Sequence, residues 1–328
     1  GRLASLYDIE NRDAIFPSVH RSYKFCLLTL GPVLAAQFVC FASQVEQLVD
    51  PRRRFTLTPD EFRLINPNTR TCPMFRSQRD AELTKKLYRA APVLVEDGEL
   101  DKNPWAFDYM TKMFDMADNS HEFIDHVALI SNAETRLSMD WRHANGRNYS
   151  PLYEAKYIHL FDHRWASCSS GSSDVKAVSN AEKSDACFSV VTRYWMDRER
   201  VEERLRSKNW SKGWLIGWRD ICRATDERTV ITSVFPRIAV AHTLRVAFVK
   251  PHAKLTAAFV SCLSSLVLDY VARQKIGGTH LTVEMLKQLP VFPPDRYTDA
   301  DLDFIVPRVL ELTYTANDLK PWAEDLGY

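Results

Sequence analysis

The pattern of apolar and polar residues predicts a small β-rich unit at the start of the chain. Residues 22–30, SYKFCLLTL, form an almost continuous apolar run, which is typical of a strand buried on both faces. Residues 3–9 predict another strand, and the polar, proline-containing stretch between the two predicts a loop. Residues 33–49 follow and predict a helix.

Prolines and capping residues shape the next segment. Residues 51–77 contain four prolines and predict an irregular stretch with one short helical turn at 59–64. Ser77 begins the sequence SQRDAELTKKLYRAA, in which it predicts the N-cap of an amphipathic helix. Residues 105–117 also predict a helix, so this part of the chain is expected to be a helical connector.

Beyond Tyr153 the composition changes to short segments rich in β-branched and aromatic residues. These segments predict strands, at 153–161, 187–195, 229–235 and 244–249. A charged helix is expected at 196–210, and the Ser/Gly-rich residues 169–180 predict a mobile loop. Residues 254–275 predict a single buried helix, and residues 298–317 predict a last surface helix. The fold class expected from this pattern is α+β.

Composition narrows the class of protein. Hydrophobic residues make up 45% and charged residues 26% of the 328 residues, so a folded globular chain is expected. No charge-free apolar run approaches the roughly 18 residues of a membrane span, and the N-terminus lacks the apolar core of a signal peptide. The seven cysteines include no CxxC pair, which argues against a disulfide framework and a zinc ribbon. A cytoplasmic protein with no membrane partner is therefore expected.

Charge is unevenly distributed along the chain, although the net charge is only +1. Residues 237–289 hold seven Lys and Arg against two Asp and Glu, whereas residues 295–328 hold three against eight. A basic segment beside an acidic tail is compatible with a DNA-facing surface and a remote end that is solvated or docks on a partner. A solvated surface gives the same pattern.

The first group of candidate binding residues lies in 273–294, RQKIGGTHLTVEMLKQLPVFPP. Arg273 and Lys275 precede a glycine pair, and Thr279 is placed to cap the helix that follows. A helix N-terminus beside two cations favours a phosphate. The alternative is a basic turn followed by a helix that only packs.

A second group lies in 214–229, WLIGWRDICRATDERT. Arg219, Arg223 and Arg228 stand there among threonines. Arginine can grip a phosphate or a guanine edge with two hydrogen bonds, and threonine hydroxyls bond to phosphate oxygens. The alternative is a structural network with the two aspartates of the same segment.

Signals for other chemistry are weaker. His159 and His163 have the spacing of two metal ligands on a helix, but the composition there predicts a strand and a loop, and no third ligand is evident. Glu154 and Lys156 match the short ExK end of a metal-dependent nuclease site, which needs an acidic partner on a neighbouring strand. No GxSxG, GxGxxG or GxxxxGK[ST] sequence is present.

Five segments occur in an order that resembles one family. The first is similar to the last strands of a class I methyltransferase domain: LYDIENRDAIFPSVHRSYKFCLLTL. The others are INPNTRTCPMFRSQRDAELTKKLY, PLYEAKYIHLFDHRWA, WRDICRATDERT and RQKIGGTHLTVEMLKQLPVFPP. Together they resemble the C-terminal half of the large adenine-N6 DNA methyltransferases of type IIG restriction–modification and of phage-defence systems such as BREX and DISARM. The last segment also resembles the close of a target-recognition domain in type I specificity subunits.

The resemblance implies four segments: the end of a methyltransferase α/β sheet at 1–50, a helical connector at 51–149, a mixed α/β target-recognition domain at 150–292 and a helical acidic tail at 293–328. It also implies that the chain is the DNA-binding, target-recognition fragment of an S-adenosylmethionine-dependent adenine-N6 DNA methyltransferase. The residues expected at the DNA are Lys156, Arg164, Arg223, Thr225, Arg228, Thr229, Arg273, Lys275, Thr279 and His280.

The catalytic motifs of that family are absent from the chain. A cofactor-binding glycine loop and an NPPY-type motif, which holds a flipped adenine, have no counterpart, because NPN at 66–68 and NPW at 103–105 lack the second proline. No catalytic, cofactor-binding or metal-binding residue is therefore expected here, and S-adenosylmethionine is expected to bind only in a longer parent protein.

The resemblance also sets the expected partners. They are double-stranded DNA, a missing N-terminal methyltransferase domain and subunits of a defence system. Two alternatives stay open. One is a Mg²⁺-dependent DNA nuclease at Glu154 and Lys156, and the other is a protein-docking module of a defence complex.

Overall fold

The computed structural model of the chain describes residues 3–98, 100–169 and 174–328. Residues 170–173, part of the expected mobile loop, lie outside the described residues. The strands of the described part are β1 Leu3–Glu10, β2 Lys24–Leu30, β3 Ala36–Ala42, β4 Phe55–Leu57, β5 Asp108–Met110, β6 Ile124–Asp125, β7 Ala133–Leu137, β8 Asp140–His143, β9 Asn148–Tyr153, β10 Ala166–Cys168, β11 Val175–Ala177, β12 Tyr194–Asp197, β13 Trp214–Arg219, β14 Thr232–Pro236, β15 Ala239–Val240 and β16 Leu244–Phe248.

Helices lie between and after these strands, so the protein is of the α+β class, as the sequence pattern predicts. The α-helices of the described residues are α1 Pro59–Ile65, α2 Gln78–Ala90, α3 His126–Ser131, α4 Asn180–Ser184, α5 Arg198–Arg206, α6 Ala253–Leu263, α7 Leu266–Arg273, α8 Val283–Lys287, α9 Asp299–Thr313 and α10 Lys320–Leu326.

The N-terminal sheet has the strand order β2-β1-β3-β4, in which β1 is antiparallel to β2 and parallel to β3. The prediction of a helix at 33–49 is wrong, because this stretch contains β3. Phe38 and Val39 are fully buried in this central strand. The periodicity of a short apolar run does not distinguish a buried strand from a buried helix. Here the segment forms a strand because it pairs with β1 on one side and β4 on the other.

Strand β2 is at the edge of this sheet, and its prediction as a strand is confirmed. Its predicted burial on both faces is wrong. In the described residues β2 pairs with β1 alone, and Leu27, Leu28 and Leu30 are 51%, 56% and 65% exposed. Exposed apolar side chains on a strand are solvated unfavourably. The free backbone edge of such a strand can also pair with another chain segment.

The connector between the sheets is less helical than expected. The predicted turn at 59–64 and the helix capped by Ser77 are confirmed as α1 and α2, and the Ser77 side chain accepts a hydrogen bond from the Asp80 N–H. The helix predicted at 105–117 is wrong. The Asn103 side-chain amide donates to the Phe107 carbonyl and accepts from the Phe107 N–H. These two hydrogen bonds close a loop in place of a helix, and the chain then enters β5.

Two further sheets and a short ribbon build the central part. One sheet has the order β6-β12-β9-β8-β7, with β15 beside β9, and another has the order β14-β13-β16-β5. Gly217 is required at the centre of β13, because a Cβ there would lie 2.6 Å from the Arg245 carbonyl oxygen and 2.8 Å from the Phe235 ring. Strand β5 comes from the expected connector, so this sheet crosses the predicted boundary at residue 150.

Several predicted elements of this part have different bounds. The strands predicted at 229–235 and 244–249 are confirmed as β14 and β16, whereas only the ends of 153–161 and 187–195 are strand. The helix predicted at 254–275 is two helices, because α6 ends at Leu263 with Ser264 as its C-cap, and Ser265 caps α7 by accepting from the Leu268 N–H. The charged helix predicted at 196–210 is confirmed as α5.

The C-terminal residues pack into the same core as the sheets. The surface helix predicted at 298–317 corresponds to α9, but α10 follows it and buries Trp322 completely. The Trp322 ring lies edge-on to Trp214 of β13 at 4.6 Å, and its Nε1–H donates to the Thr313 hydroxyl at 2.9 Å. One hydrophobic core thus extends from Ala36 to Leu326.

Among the described residues, no single helix has both the length and the apolar composition needed to cross a membrane, although α6 and α7 together, bent by 51°, meet that criterion.

Candidate nucleic-acid interface

A basic cleft of about 470 Å³ brings together residues that are far apart in the sequence. Its N-terminal side comes from β1, β2, β3 and the residues before α2, and its C-terminal side comes from the 223–225 and 273–279 loops. The backbone N–H of Met74 joins the two sides by donating to the Gln274 carbonyl at 3.1 Å. The lining residues are Glu10, Arg12, Lys24, Phe41, Met74, Arg76, Arg223, Ala224, Thr225, Arg273, Gln274, Ile276, Gly277, Gly278 and Thr279.

The charge of this cleft is strongly positive although the net charge of the chain is near zero. Among the described residues, five cationic side chains line it, against the single carboxylate of Glu10. Glu10 forms ion pairs with Lys24 at 3.0 Å and with Arg12 at 3.4 Å, so it compensates only part of the charge. An excess of cations in a concave surface concentrates anions near it.

The C-terminal side is held by one buried carboxylate. Asp269 of α7 is 3% exposed and accepts hydrogen bonds from the Thr229 and Val230 N–H groups, each at 2.8 Å. Its other oxygen accepts from Arg273 Nε at 2.9 Å. Arg273 also donates to the carbonyls of Ala224 and Glu227, at 2.8 and 2.7 Å. The loop is therefore fixed to the helix by backbone contacts, and Arg273 is committed to the protein.

Arg223 lies in this fixed loop with its side chain free. Its backbone N–H donates to Asp226 at 2.8 Å and its carbonyl accepts from the Thr229 hydroxyl at 3.0 Å. The side chain is exposed, and in the described part of the chain no acceptor binds its guanidinium. Thr225 and Thr279 are also exposed in the cleft. Arg223, Thr225 and Thr279 are the predicted residues that can meet a ligand here without rearrangement.

The glycine pair at 277–278 lines the cleft without adopting a left-handed backbone conformation. Neither glycine has a positive φ, and the helix begins later than expected, because Thr282 and not Thr279 caps α8. A Cβ at Gly278 would meet nothing within 4 Å, whereas one at Gly277 would touch the Met74 side chain. Gly278 thus exposes bare backbone to the cleft, which permits close approach of a ligand.

Lys275 is partly buried, and its amine is bound to groups of the protein. Its Nζ donates to the Ile65 carbonyl at 2.7 Å and to the Asn66 side chain, and it lies over the Tyr88 ring. Burial lowers the pKa of Lys275 well below its ordinary value of 10.5. A DNA contact by this amine would require the segment around Asn66 to move away.

Arg164 is also buried, although it was predicted at the DNA. Its two terminal nitrogens donate to the backbone carbonyls of four residues, and it is fully inaccessible to solvent; the four are Asp185, Phe188, Lys183 and Thr315. This side chain ties the 183–188 segment to the C-terminal residues. It has no donor directed at the surface in the described structure.

The remaining predicted residues lie in or near structural networks. Arg228 donates to the Ser264 carbonyl and lies 3.8 Å from Asp269, and Thr229 is completely buried. Lys156 forms an ion pair with Glu154 at 2.7 Å and is partly exposed. His280 is exposed, and its Nδ1 bonds to Asp220 at 2.8 Å. None of these four lines the basic cleft.

The competing sites have structural explanations. Arg219, one of the three arginines of the 214–229 segment, donates to the Ile158 carbonyl at 2.9 Å and is thus bound within the protein. His159 stacks on Trp165 at 4.4 Å, while His163 is buried and bonds to Asp318 at 2.9 Å. Within the described ranges no three His, Cys, Asp or Glu side chains form a group that could hold a metal ion.

The predicted site residues include no member of the N-terminal side of the cleft. Its three cations and one aromatic residue come from segments that the sequence pattern assigned to a loop, a strand, a helix and the residue before a capping position: Arg12, Lys24, Phe41 and Arg76. Arg76 immediately precedes the Ser77 cap, so the sequence does show a cation at the start of α2. The sequence does not show which residues lie near Arg76 in space, because they belong to a sheet whose β3 was predicted to be a helix.

Comparisons with known proteins identify no relative. No protein-family model matches the chain, and a search of curated proteins finds no match. The resemblance to adenine-N6 DNA methyltransferases therefore stays an expectation based on the five segments.

We expect Asp269→Asn to destabilise the protein by about 1–3 kcal/mol, because Arg273 and Arg228, which are both partly exposed, lose their carboxylate partner but keep their carbonyl acceptors. The free energy of unfolding from urea titrations measures this loss. Asp303→Asn, at an exposed position of α9, is the control and should change stability by no more than about 0.5 kcal/mol. Equal effects of the two substitutions would contradict the role given to Asp269.

We expect Lys275 to make stability increase with pH below 10.5. The pKa of Lys275 is lower in the folded than in the unfolded chain, so between these two pKa values the unfolded chain holds more protons on this amine. Raising the pH towards 10.5 removes the proton from the unfolded chain, and the free energy of unfolding therefore increases. The comparison is the slope of unfolding free energy against pH in the native protein and in Lys275→Met. The variant should lack this part of the rise, and parallel slopes would show that the amine keeps its ordinary pKa when folded.

Proposed function

We propose that this chain binds duplex DNA through the basic cleft and serves as the target-recognition part of an S-adenosylmethionine-dependent adenine-N6 DNA methyltransferase. The observation that carries the proposal is the cleft itself, where five cations face a single carboxylate in the part of the chain that the structure describes. The five segments that resemble this methyltransferase family supply the expected role, and the cleft supplies a surface on which that role can be performed.

The chemistry of the cleft suits a polyanion. Arg223 offers a guanidinium with no protein acceptor in the described structure, and the Thr225 and Thr279 hydroxyls are exposed beside it. Arginine and threonine are typical donors to DNA phosphates. Gly278 presents backbone without a side chain in the way. Together these groups can follow a phosphate backbone, which is the dominant source of affinity for duplex DNA.

The exposed leucines of β2 support the proposed partner. An apolar edge strand is energetically favourable when another strand pairs with it and covers its faces. In the proposed parent protein, the methyltransferase sheet continues beyond β2 and supplies the cofactor loop and the NPPY-type motif that this chain lacks. Adenine methylation and S-adenosylmethionine binding are then properties of that longer protein.

We expect Arg223→Gln to weaken binding of duplex DNA and to lower the slope of log affinity against log salt by about 0.9, because one phosphate contact is lost. Fluorescence anisotropy with a labelled duplex, measured from low salt upwards, gives both quantities. Arg206→Gln is the matched control, since Arg206 is exposed on α5 and does not line the cleft.

Three other outcomes can be distinguished. An unchanged affinity and salt slope in Arg223→Gln would remove the cleft from the proposal. A slope that stays constant while selectivity at one base pair relaxes would mean that Arg223 contacts a base edge. Cleavage of the duplex when Mg²⁺ is added, abolished by Glu154→Gln, would favour the nuclease alternative.

We expect the pair Leu28→Lys and Leu30→Lys to leave the stability of this chain within about 0.5 kcal/mol, because both side chains are already exposed. In a longer chain that carries an NPPY-type segment before Gly1, the same pair should abolish adenine methylation by preventing strand pairing. Leu312→Lys, on exposed α9, is the control. Methylation that survives the β2 pair would contradict the proposed contact, and loss of methylation in both variants would show an effect that is not specific to β2.

A further inference from the structure

Arg76 is the second uncommitted cation of the cleft, and it comes from the N-terminal side. Its side chain is exposed, and no carboxylate or carbonyl oxygen of the described residues accepts a hydrogen bond from it. Its close partner is the Phe41 ring, with the guanidinium carbon 4.2 Å from the ring centre. A guanidinium placed over an aromatic ring loses much of its rotational freedom but keeps all its N–H donors available.

The backbone at Phe41 is unusual. Phe41 has φ of 57°, in the left-handed region that a non-glycine residue rarely adopts. The register between β1 and β3 shifts here, because Tyr7 pairs with Val39 whereas Ile9 pairs with Ala42. Strand β3 therefore carries one extra residue, and such a bulge redirects a side chain.

This strained conformation is fixed from both sides. The Phe41 N–H donates to the Asp8 carboxylate, and the Phe41 carbonyl accepts from Arg53, each at 3.3 Å. Residues held in sparsely populated backbone conformations persist only where the surroundings enforce them, and they are common at functional sites. Here the consequence of the strain is that the Phe41 ring lines the cleft and supports a cation.

A second cation approaches the same ring. Lys24 Nζ lies 5.3 Å from the centre of the Phe41 ring and forms its ion pair with Glu10. Two positive charges near one aromatic ring favour a ligand that carries a full negative charge with several acceptor oxygens. A guanine edge would use the Arg76 fork but would gain little from Lys24, whereas a phosphate gains from both.

We propose that Arg76, positioned by Phe41 and assisted by Lys24, forms a phosphate-binding site on the N-terminal side of the cleft. This inference rests on the proposed DNA binding and names the group that the N-terminal side contacts, a backbone phosphate. Phe41 acts as a positioning residue through Arg76 and makes no contact of its own with the DNA.

The test uses the chain of 328 residues and a fluorescently labelled duplex. Arg76→Gln should weaken binding about tenfold at low salt, the equivalent of one charged hydrogen bond, and lower the salt slope by about 0.9. Arg79→Gln is the matched control, because Arg79 is exposed three residues further along and does not line the cleft. Arg76→Lys should retain the salt slope but not the full affinity, because lysine keeps the charge and loses the fork.

A double-mutant cycle tests the role of Phe41. Phe41→Leu alone should weaken DNA binding about two- to fivefold, the range of an exposed cation–π contact. The cycle is measured in a Lys24→Gln background, because Lys24 also lies over the Phe41 ring. There, Phe41→Leu combined with Arg76→Gln should have no further effect, because Arg76 is then the cation through which Phe41 acts. Circular dichroism and the unfolding midpoint show whether each variant is folded. An additional loss from Phe41→Leu when both cations are already replaced, in a folded protein, would overturn the positioning role.

The outcomes separate this inference from the proposed function. If Arg223→Gln weakens DNA binding while Arg76→Gln behaves like Arg79→Gln, DNA binding stands and the phosphate site is wrong. If the native chain ignores DNA but binds inorganic phosphate in calorimetry, and Arg76→Gln removes that binding, the phosphate site stands and the proposed function fails. If neither DNA binding nor phosphate binding depends on Arg76, the inference is overturned.

Discussion

The buried carboxylate of Asp269 is the interaction on which the C-terminal side of the cleft depends. Taking a carboxylate out of water costs several kcal/mol, and only a complete set of donors offsets this cost. Asp269 receives two backbone N–H groups from the 229–230 segment and the Nε of Arg273. Arg273 then bonds to two carbonyls of the same loop. The loop and α7 therefore form one unit, and neither can move without leaving charge unpaired in the interior.

This network decides which cations remain available for a ligand. Asp269 and the loop carbonyls occupy Arg273 and approach Arg228, so Arg223 is left with a free side chain on a fixed backbone. The same competition removes Arg164 and Lys275, whose donors are used by backbone carbonyls and the Asn66 amide. A count of Lys and Arg along the sequence therefore overestimates the binding surface, because a buried cation must satisfy its donors within the protein.

Helix caps and helix periodicity could be predicted from the sequence, whereas contacts between distant parts of the chain could not. Ser77, the Pro59 turn and the charged helix α5 follow capping and periodicity rules that involve only near neighbours. The buried cations depend on partners 210 residues away for Lys275 and 151 for Arg164, and no spacing reveals these. The helix predicted at 33–49 failed for the same reason, since β3 is a strand because β1 and β4 pair with it. That error also hid Phe41 and the N-terminal side of the cleft.

The cleft is consequently a composite of two parts of the chain that neither could form alone. Residues 150–292 contain Arg223, Thr225 and Gly278, but Arg76, Lys24 and Phe41 belong to the β1–β4 sheet and to the segment that leads from it into α2. The hydrogen bond from the Met74 N–H to the Gln274 carbonyl joins the two parts. On the proposed function, a DNA strand bound in the cleft touches the end of the methyltransferase-like sheet and the recognition loops together. Binding energy at the recognition loops would then reach the sheet through the Met74–Gln274 bond, because the Asp269 network leaves the loop itself little freedom to move relative to α7.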